Sequence, residues 1–571
     1  MRHTLIIAAL VCCLGCSMPQ TSKTASTTGS ADFDKLTNDL LYGSLALSPV
    51  SATATGYHVH NGTALDELID DYSAAGIESQ RRFYHDVQTR AVAVGAAALD
   101  REQQVDLEII KNNVNLSLLE METIQSYKHN PTVYVELAGN ALFSPYVLNY
   151  APVERRFQHI IARLERMPSL FDQAKANLVD APEVWNRVAR EENEGTIGLI
   201  DKTLRAAVPA AQKADYERGA GPAIAALKAF NAHLERELSK AASDWRLASE
   251  NYVRKFEYAL ATGKTPDQLL AEAEADLKTT RQDMAKLAAP KTVKQALDDV
   301  ARQHATPDTY MAEAKRTLEQ ATAFVREKQL VTLPRRANLQ VIETPEFMRG
   351  IYSVAGFNAA PPLEPELGAF YWVTPIPPTW PKDRVESKLR EYNHFGLQHI
   401  TIHEAMPGHY VQLEYANDVL PTSRRLLRNI LGNGPYVEGW AVYVQQVMTD
   451  EGYLEGSPAL RLTLGKQFLR VLANTILDIR LHTKGMTDQQ ALDLMINDAY
   501  QEKEEATAKL QRAQLSSVQL PTYFAGWKGW LQVRAHVQQI EGGRFSLRAF
   551  HERALEESAV PLPALERLLT R

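Results

Sequence analysis

The sequence predicts a mainly α fold, a large helical body carrying one small antiparallel sheet. Two observations lead there. Helix start signals and long runs of helix-forming residues recur along most of the chain, and β-like, proline-rich sequence is confined to residues 330–382. The 571 residues are 45% hydrophobic and 23% charged, a balance that suits a globular protein with a large core. A formal net charge of −7 with no dense Lys/Arg block argues against nucleic acid as a partner.

At the N-terminus, Arg2 and His3 precede an apolar run at 4–11 that is too short to span a bilayer and has the layout of a secretory signal. It runs into Cys13-Leu14-Gly15-Cys16, which resembles a bacterial lipobox with Cys13 where Leu is usual. Cleavage there would leave Cys16 as a lipidated first residue, and Ser17 beside it resembles the outer-membrane-sorted class. Cys12, Cys13 and Cys16 are the chain's three cysteines, so the body has no disulfide framework. The segment before residue 32 is small and polar and reads as a tether. The expected layout is a signal peptide at 1–15, a flexible tether at 16–31, a helical scaffold lobe at 32–330 and a catalytic lobe at 331–571.

Three helix starts are explicit. Thr265-Pro266-Asp267-Gln268 combines an N-cap Thr, a Pro at the first helical position and a Gln three residues after the cap. Thr306-Pro307-Asp308 predicts a second start, and Thr487-Asp488-Gln489-Gln490 a third, followed by the apolar stripe Leu492, Leu494, Met495, Ala499 and Tyr500. Segments 222–243 and 267–289 are rich in helix formers. In the region that breaks this pattern, Leu339–Ile342 and Ala369–Val373 read as strands, and the prolines of 374–381 exclude regular helix. A strand edge there could pair with an extended peptide, which makes Tyr371 a candidate substrate-binding residue.

The chemistry lies in His403-Glu404-Ala405-Met406-Pro407-Gly408-His409. Zinc peptidases place two His at i and i+4 on one helix face, with Glu between them. Here the expected second His is Pro407. His409 lies six residues on from His403, about 120 degrees around a straight helix. The two imidazoles can converge only if the helix is disrupted, and Pro407-Gly408 is the pair to disrupt it.

His-Glu-x-x-Pro-Gly-His resembles the hallmark of the bacterial proteins grouped as domain of unknown function 885, which are similar to helical zinc peptidases of the carboxypeptidase Taq and angiotensin-converting enzyme type. Glu438-Gly439-Trp440-Ala441, Tyr523-Phe524-Ala525-Gly526 with Arg534, and Phe550-His551 with Pro561-Leu562 extend the resemblance. Tyr410 departs from it, standing where many members carry a further His. The resemblance implies that His403, His409 and Glu438 bind Zn²⁺ and leave a position open. It implies Glu404 as general base and proton shuttle, with Tyr523 hydrogen bonding an oxyanion. Arg534 would hold a substrate carboxylate, and His551 would assist near the oxyanion or make a supporting contact behind the site.

Two rival sites are visible. His399 precedes His403 by one helical turn, and Glu391-Tyr392-Asn393-His394 matches half of a di-iron element. The leading expectation is a zinc metallopeptidase of the cell envelope, a carboxypeptidase or dipeptidase acting on short peptides in a deep cleft between two lobes, with membrane contact only through Cys16. The alternatives are hydrolysis of a non-peptide amide, or a non-catalytic binding lipoprotein with a vestigial metal site.

Overall fold

The structure is a computed structural model that describes residues 24–240, 243–345, 348–349 and 354–570. The expected signal peptide and Cys16 lie outside the described residues. It is mainly helical, as the sequence predicts. The tether is shorter than expected, because a helix spans Thr24–Leu47 and takes in residues 24–31. Two features hold this helix. Phe33, Leu36 and Leu40 recur at helical spacing and are buried, and Gln103 Nε2 donates to Ser30 Oγ at 2.9 Å.

Local signals set the helix starts. Thr265 and Thr487 form reciprocal capping boxes with Gln268 and Gln490. The Thr306 start is displaced. Thr309 donates its amide to Thr306 O and accepts the Thr306 amide on its own Oγ1, which closes a turn, and the helix begins at Tyr310. After Thr487 the helix Asp488–Asp493 passes into a π turn at Leu494–Asp498.

The sheet by the motif has strands β1 (Leu339–Glu343), β2 (Ala355–Asn358) and β3 (Ala369–Val373), in the order β1-β3-β2. It is mixed rather than antiparallel. β1 runs parallel to β3 with Leu339 opposite Ala369, and β2 pairs antiparallel to β3. All five residues of β3 are buried, as a central strand covered on both faces requires. Its alternate residues serve different clusters. Ala369, Tyr371 and Val373 join the main core, while Phe370 and Trp372 pack with Phe143 and Met348.

The cores do not part at residue 330. The main core runs from Phe33 through Val105, Tyr252, Tyr310 and Tyr371 to Leu565, whereas a second core gathers Tyr134 to Leu238 with Val50. Buried Arg428 binds the early and late chain together. Its guanidinium donates to Asp106 at 2.8 Å, Glu102 at 2.7 Å and the Glu557 carbonyl at 2.6 Å.

Candidate metal centre

His403 and Glu404 end helix α1 (His394–Glu404), whose N-terminus is capped by Asn393 accepting the amides of Phe395 and Gly396. The chain then breaks, and helix α2 (His409–Ala416) starts afresh at His409. The disruption expected at Pro407-Gly408 is thus a full break between two helices. Gly408 is obligatory there, since a Cβ would sit 1.9 Å from the His403 carbonyl oxygen and 2.3 Å from that of Ile402. Trp440 Nε1 holds the turn by donating to Pro407 O at 2.9 Å. The fold-back brings the His403 and His409 rings to 4.8 Å, edge to face at 83°.

Glu438 comes from helix α3 (Gly434–Asp450), capped by Asn433. A Cβ on Gly439 would meet Gly526 backbone at 2.3 Å, and one on Gly526 would meet Pro435 O at 2.0 Å. These two glycines let α3 touch helix α4, which spans Pro521–Glu541 and carries Tyr523. Glu438 Oε2 lies 3.4 Å from His403 Nε2 and 3.5 Å from His409 Nε2. All three ligand atoms fall within 4.8 Å of one another.

Tetrahedral zinc with bonds near 2.05 Å has ligand–ligand edges of about 3.3 Å, so the donor set fits such an ion. Glu438 Oε2 is buried and makes no hydrogen bond, which fits an oxygen reserved for a cation. Burial would raise the Glu438 pKa, but the imidazoles of His403 and His409 bring it far below the carboxylate range. Burial would lower His409, and Glu438 outweighs that and raises it.

The half-buried Glu404 carboxylate follows directly on His403, and its charge acts on both His409 and Tyr523. The Tyr523 ring stacks over His403 at 6.3 Å, and its hydroxyl accepts from Arg512 Nη2 at 3.4 Å and Gln519 Nε2 at 3.5 Å. Burial and the nearby Glu438 push its pKa up to about 12 despite Arg512, so it stays protonated and able to donate. Phe357 of β2 stacks on the His409 ring at 6.5 Å, which places the sheet's edge strand against the centre.

The family model for bacterial protein of unknown function DUF885 matches residues 49–569. The chain belongs to this DUF885 family. No curated protein matches it. A candidate lipoprotein of unknown function from Shewanella oneidensis is 29% identical, with a TM-score of 0.78 over 94% of this chain and 100% of its own. A candidate lipoprotein from Colwellia psychrerythraea has the same fold at 17% identity and TM-score 0.77, over 95% of this chain and 98% of its own. Trypanosoma cruzi metallocarboxypeptidase 1 aligns over 96% of this chain and 92% of its own at 11% identity, with a TM-score of 0.31, too low to show a shared fold. Among the described residues, no helix is long and apolar enough to cross a membrane.

Other residues singled out in this DUF885 member stand apart from the three ligands. Tyr371 is fully buried behind α1, its hydroxyl 3.2 Å from Thr401 Oγ1, so it presents nothing to a ligand. Arg534 follows Tyr523 by about 16 Å along α4, and its Nη1 donates to Tyr443 OH at 3.4 Å. His551 Nδ1 donates to Leu330 O at 2.8 Å, and its Nε2 accepts from Tyr443 OH at 2.9 Å. Burial pushes its pKa down to about 4, so it is neutral, and it packs edge-on against the Trp440 that holds Pro407. Tyr410 donates to Arg336 O at 2.6 Å, away from the ligands.

Neither rival site forms. His399 is buried, faces Leu460 O at 3.3 Å and has its pKa lowered by burial to about 4. Glu391 accepts from Lys466 at 2.7 Å, and His394 bonds Glu313 at 2.7 Å. Motif reasoning missed helix α5, which lies at Lys503–Leu515 and so precedes α4 in the chain. It sends Arg512 to Tyr523, and Lys509 lies one turn earlier. The signal was there in Glu505, Lys509 and Arg512, charges at i, i+4 and i+7 on one helix face.

Proposed function

We propose that this protein is a zinc-dependent peptidase that cuts short peptides in the cell envelope, as a carboxypeptidase or dipeptidase. The observation that carries the reading is the meeting of His403, His409 and Glu438, from three helices, with Glu404 and Tyr523 beside them. Zinc bound by these three side chains would acidify a water and polarise the scissile carbonyl. Glu404 removes the proton from the attacking water and delivers it to the leaving amine as the C–N bond breaks. Tyr523, still protonated, donates a hydrogen bond to the developing oxyanion. The outer edge of β2 beside His409 offers backbone groups to an extended peptide. The lipobox-like Cys13-Leu14-Gly15-Cys16 and the likeness to the Shewanella candidate lipoprotein support anchoring through Cys16, on the outer membrane facing the periplasm.

A peptide library digested with and without chelator, read by mass spectrometry, tests this. Hydrolysis is expected only with metal, and Glu404→Gln is expected to keep zinc while losing about 10²–10⁴-fold in kcat. Undiminished cleavage by the Gln variant would sink the mechanism.

A further inference from the structure

We propose that His58 is a pH-operated latch: as an imidazolium it ties the loop between β2 and β3, which braces the candidate metal centre, to the N-terminal chain, and on losing its proton it releases that loop. The latch itself is independent of the peptidase reading, and only its effect on hydrolysis rests on that reading.

The loop, residues 359–368, is joined to the centre at its start. Phe357, in β2, stacks on the ring of His409, the first residue of α2. Ala360 O accepts from Nδ2 of buried Asn417, the residue that follows α2, at 3.1 Å. Farther on, the loop docks on the short helix Pro49–Thr55, where the Leu363 amide donates to Thr55 O at 3.1 Å. Gly56, at φ +84°, makes room for Glu364, since a Cβ on it would sit 2.9 Å from Glu364 Cγ.

His58 closes this joint. Its Nδ1 lies 2.9 Å from Asp66 Oδ2, and its Nε2 lies 3.2 Å from Glu364 Oε2. A neutral imidazole carries one N–H, so one of the two carboxylates would then face a ring lone pair, and only the imidazolium presents an N–H to both. Asp66 also accepts from Thr53 Oγ1 at 2.7 Å, whereas no other ion pair reaches Glu364 among the described residues. Loss of the proton from Nε2 keeps the bond to Asp66 and turns a lone pair towards Glu364. The loop is therefore the side that lets go, and α2 loses its brace.

The surrounding groups leave this titration to His58. The Tyr150 ring stacks on His58 at 4.5 Å. His159 lies 3.6 Å from Asp66 Oδ2, and burial lowers its pKa, so it stays neutral at neutral pH. Arg163 donates to Thr53 Oγ1 at 2.7 Å, Arg155 pairs with Glu67, and Arg156 donates to the carbonyls of Pro145 and Tyr146. Burial would lower the His58 pKa, but Asp66 and then Glu364 outweigh it and raise it above 6.5. The contact is thus at full strength below that value and is lost as the pH rises through the higher folded one.

The test is hydrogen–deuterium exchange of the protein from about pH 5.5 to about pH 8.5, read as protection factors so that the intrinsic pH dependence of exchange cancels. Protection of residues 359–368 is expected to fall as the pH rises, by about ten-fold for each unit by which the folded His58 value exceeds 6.5. Glu364→Gln and His58→Gln are each expected to abolish that fall. The two side chains are 24% and 28% exposed, so neither substitution empties a core. Protection that stays flat in the wild-type protein, or that falls equally in the variants, overturns the latch. A titrating loop in a protein that hydrolyses nothing would leave the latch standing and remove the peptidase reading, and hydrolysis by a protein whose loop protection is flat would do the reverse.

Discussion

At the scale of single residues, the legible part of the centre was the part written contiguously. His403, Glu404 and His409 share one motif, Glu438 precedes Gly439, and Tyr523 stands three residues before Gly526, two glycines whose backbones must touch. Tyr371, Arg534 and His551 were equally conspicuous in the sequence, but their partners are Thr401, Tyr443 and Leu330, and sequence spacing does not reveal a partner contributed by another element. Lys509 went unread for the converse reason, because a lysine on a charged helix looks solvated until its burial is known. Tyr523 gives the cleanest test at this scale. Removing its hydroxyl leaves His403, His409 and Glu438 untouched, so under the proposed mechanism Tyr523→Phe should retain zinc while kcat falls about 10²–10³-fold, as loss of one oxyanion donor implies. Metal analysis and steady-state kinetics on one preparation check both halves, and an unchanged kcat would take Tyr523 out of the mechanism.

At the scale of elements, the helix starts at 265 and 487 and the strands at 339 and 369 followed from local chemistry, in which caps and apolar runs decide the outcome within a few residues. The direction of strand pairing did not. Parallel pairing of β1 with β3 depends on how the intervening chain travels, and that chain supplies β2, which no apolar run announces. The break between α1 and α2 was legible in kind, since Pro407 lacks a donor and Gly408 has no Cβ, although its extent was not. The turn depends on Gly408 having no side chain. Gly408→Ala would drive a methyl to within 1.9 Å of the His403 carbonyl and push the two His apart. Overpacking of this kind costs about 1–3 kcal/mol of stability, and zinc affinity should fall with it, as competition with a chromophoric chelator would show. Wild-type affinity in this variant would mean that the ligands do not depend on the turn.

For the whole molecule, the sequence suggested a scaffold lobe ending near 330, but burial joins both ends of the chain in one core. Arg428 is the polar counterpart of that union. It is buried, with Asp106 and Glu102 on one side and the Glu557 carbonyl on the other. Arg428→Ala would leave buried Asp106 with Arg424, whose Nε donates to it at 2.8 Å, and would remove the bonds to Glu102 and Glu557; it should destabilise the fold by about 1–3 kcal/mol, measurable by denaturant unfolding. Acid should act through Glu505. Burial alone would raise its pKa from 4.5, but Arg470 and then Lys509 bring it down to about 2. Between those values the unfolded chain binds a proton that the folded chain does not. The stabilisation is therefore complete above about pH 4.5 and drains away as the pH falls towards 2, a loss of about 3 kcal/mol for a shift of this size. Glu505→Gln removes the titrating group, so the variant should be less stable than wild type at neutral pH and should converge with it in acid. If the two stability curves instead ran parallel from pH 6 to pH 3, Glu505 would not be the group that couples this core to protons.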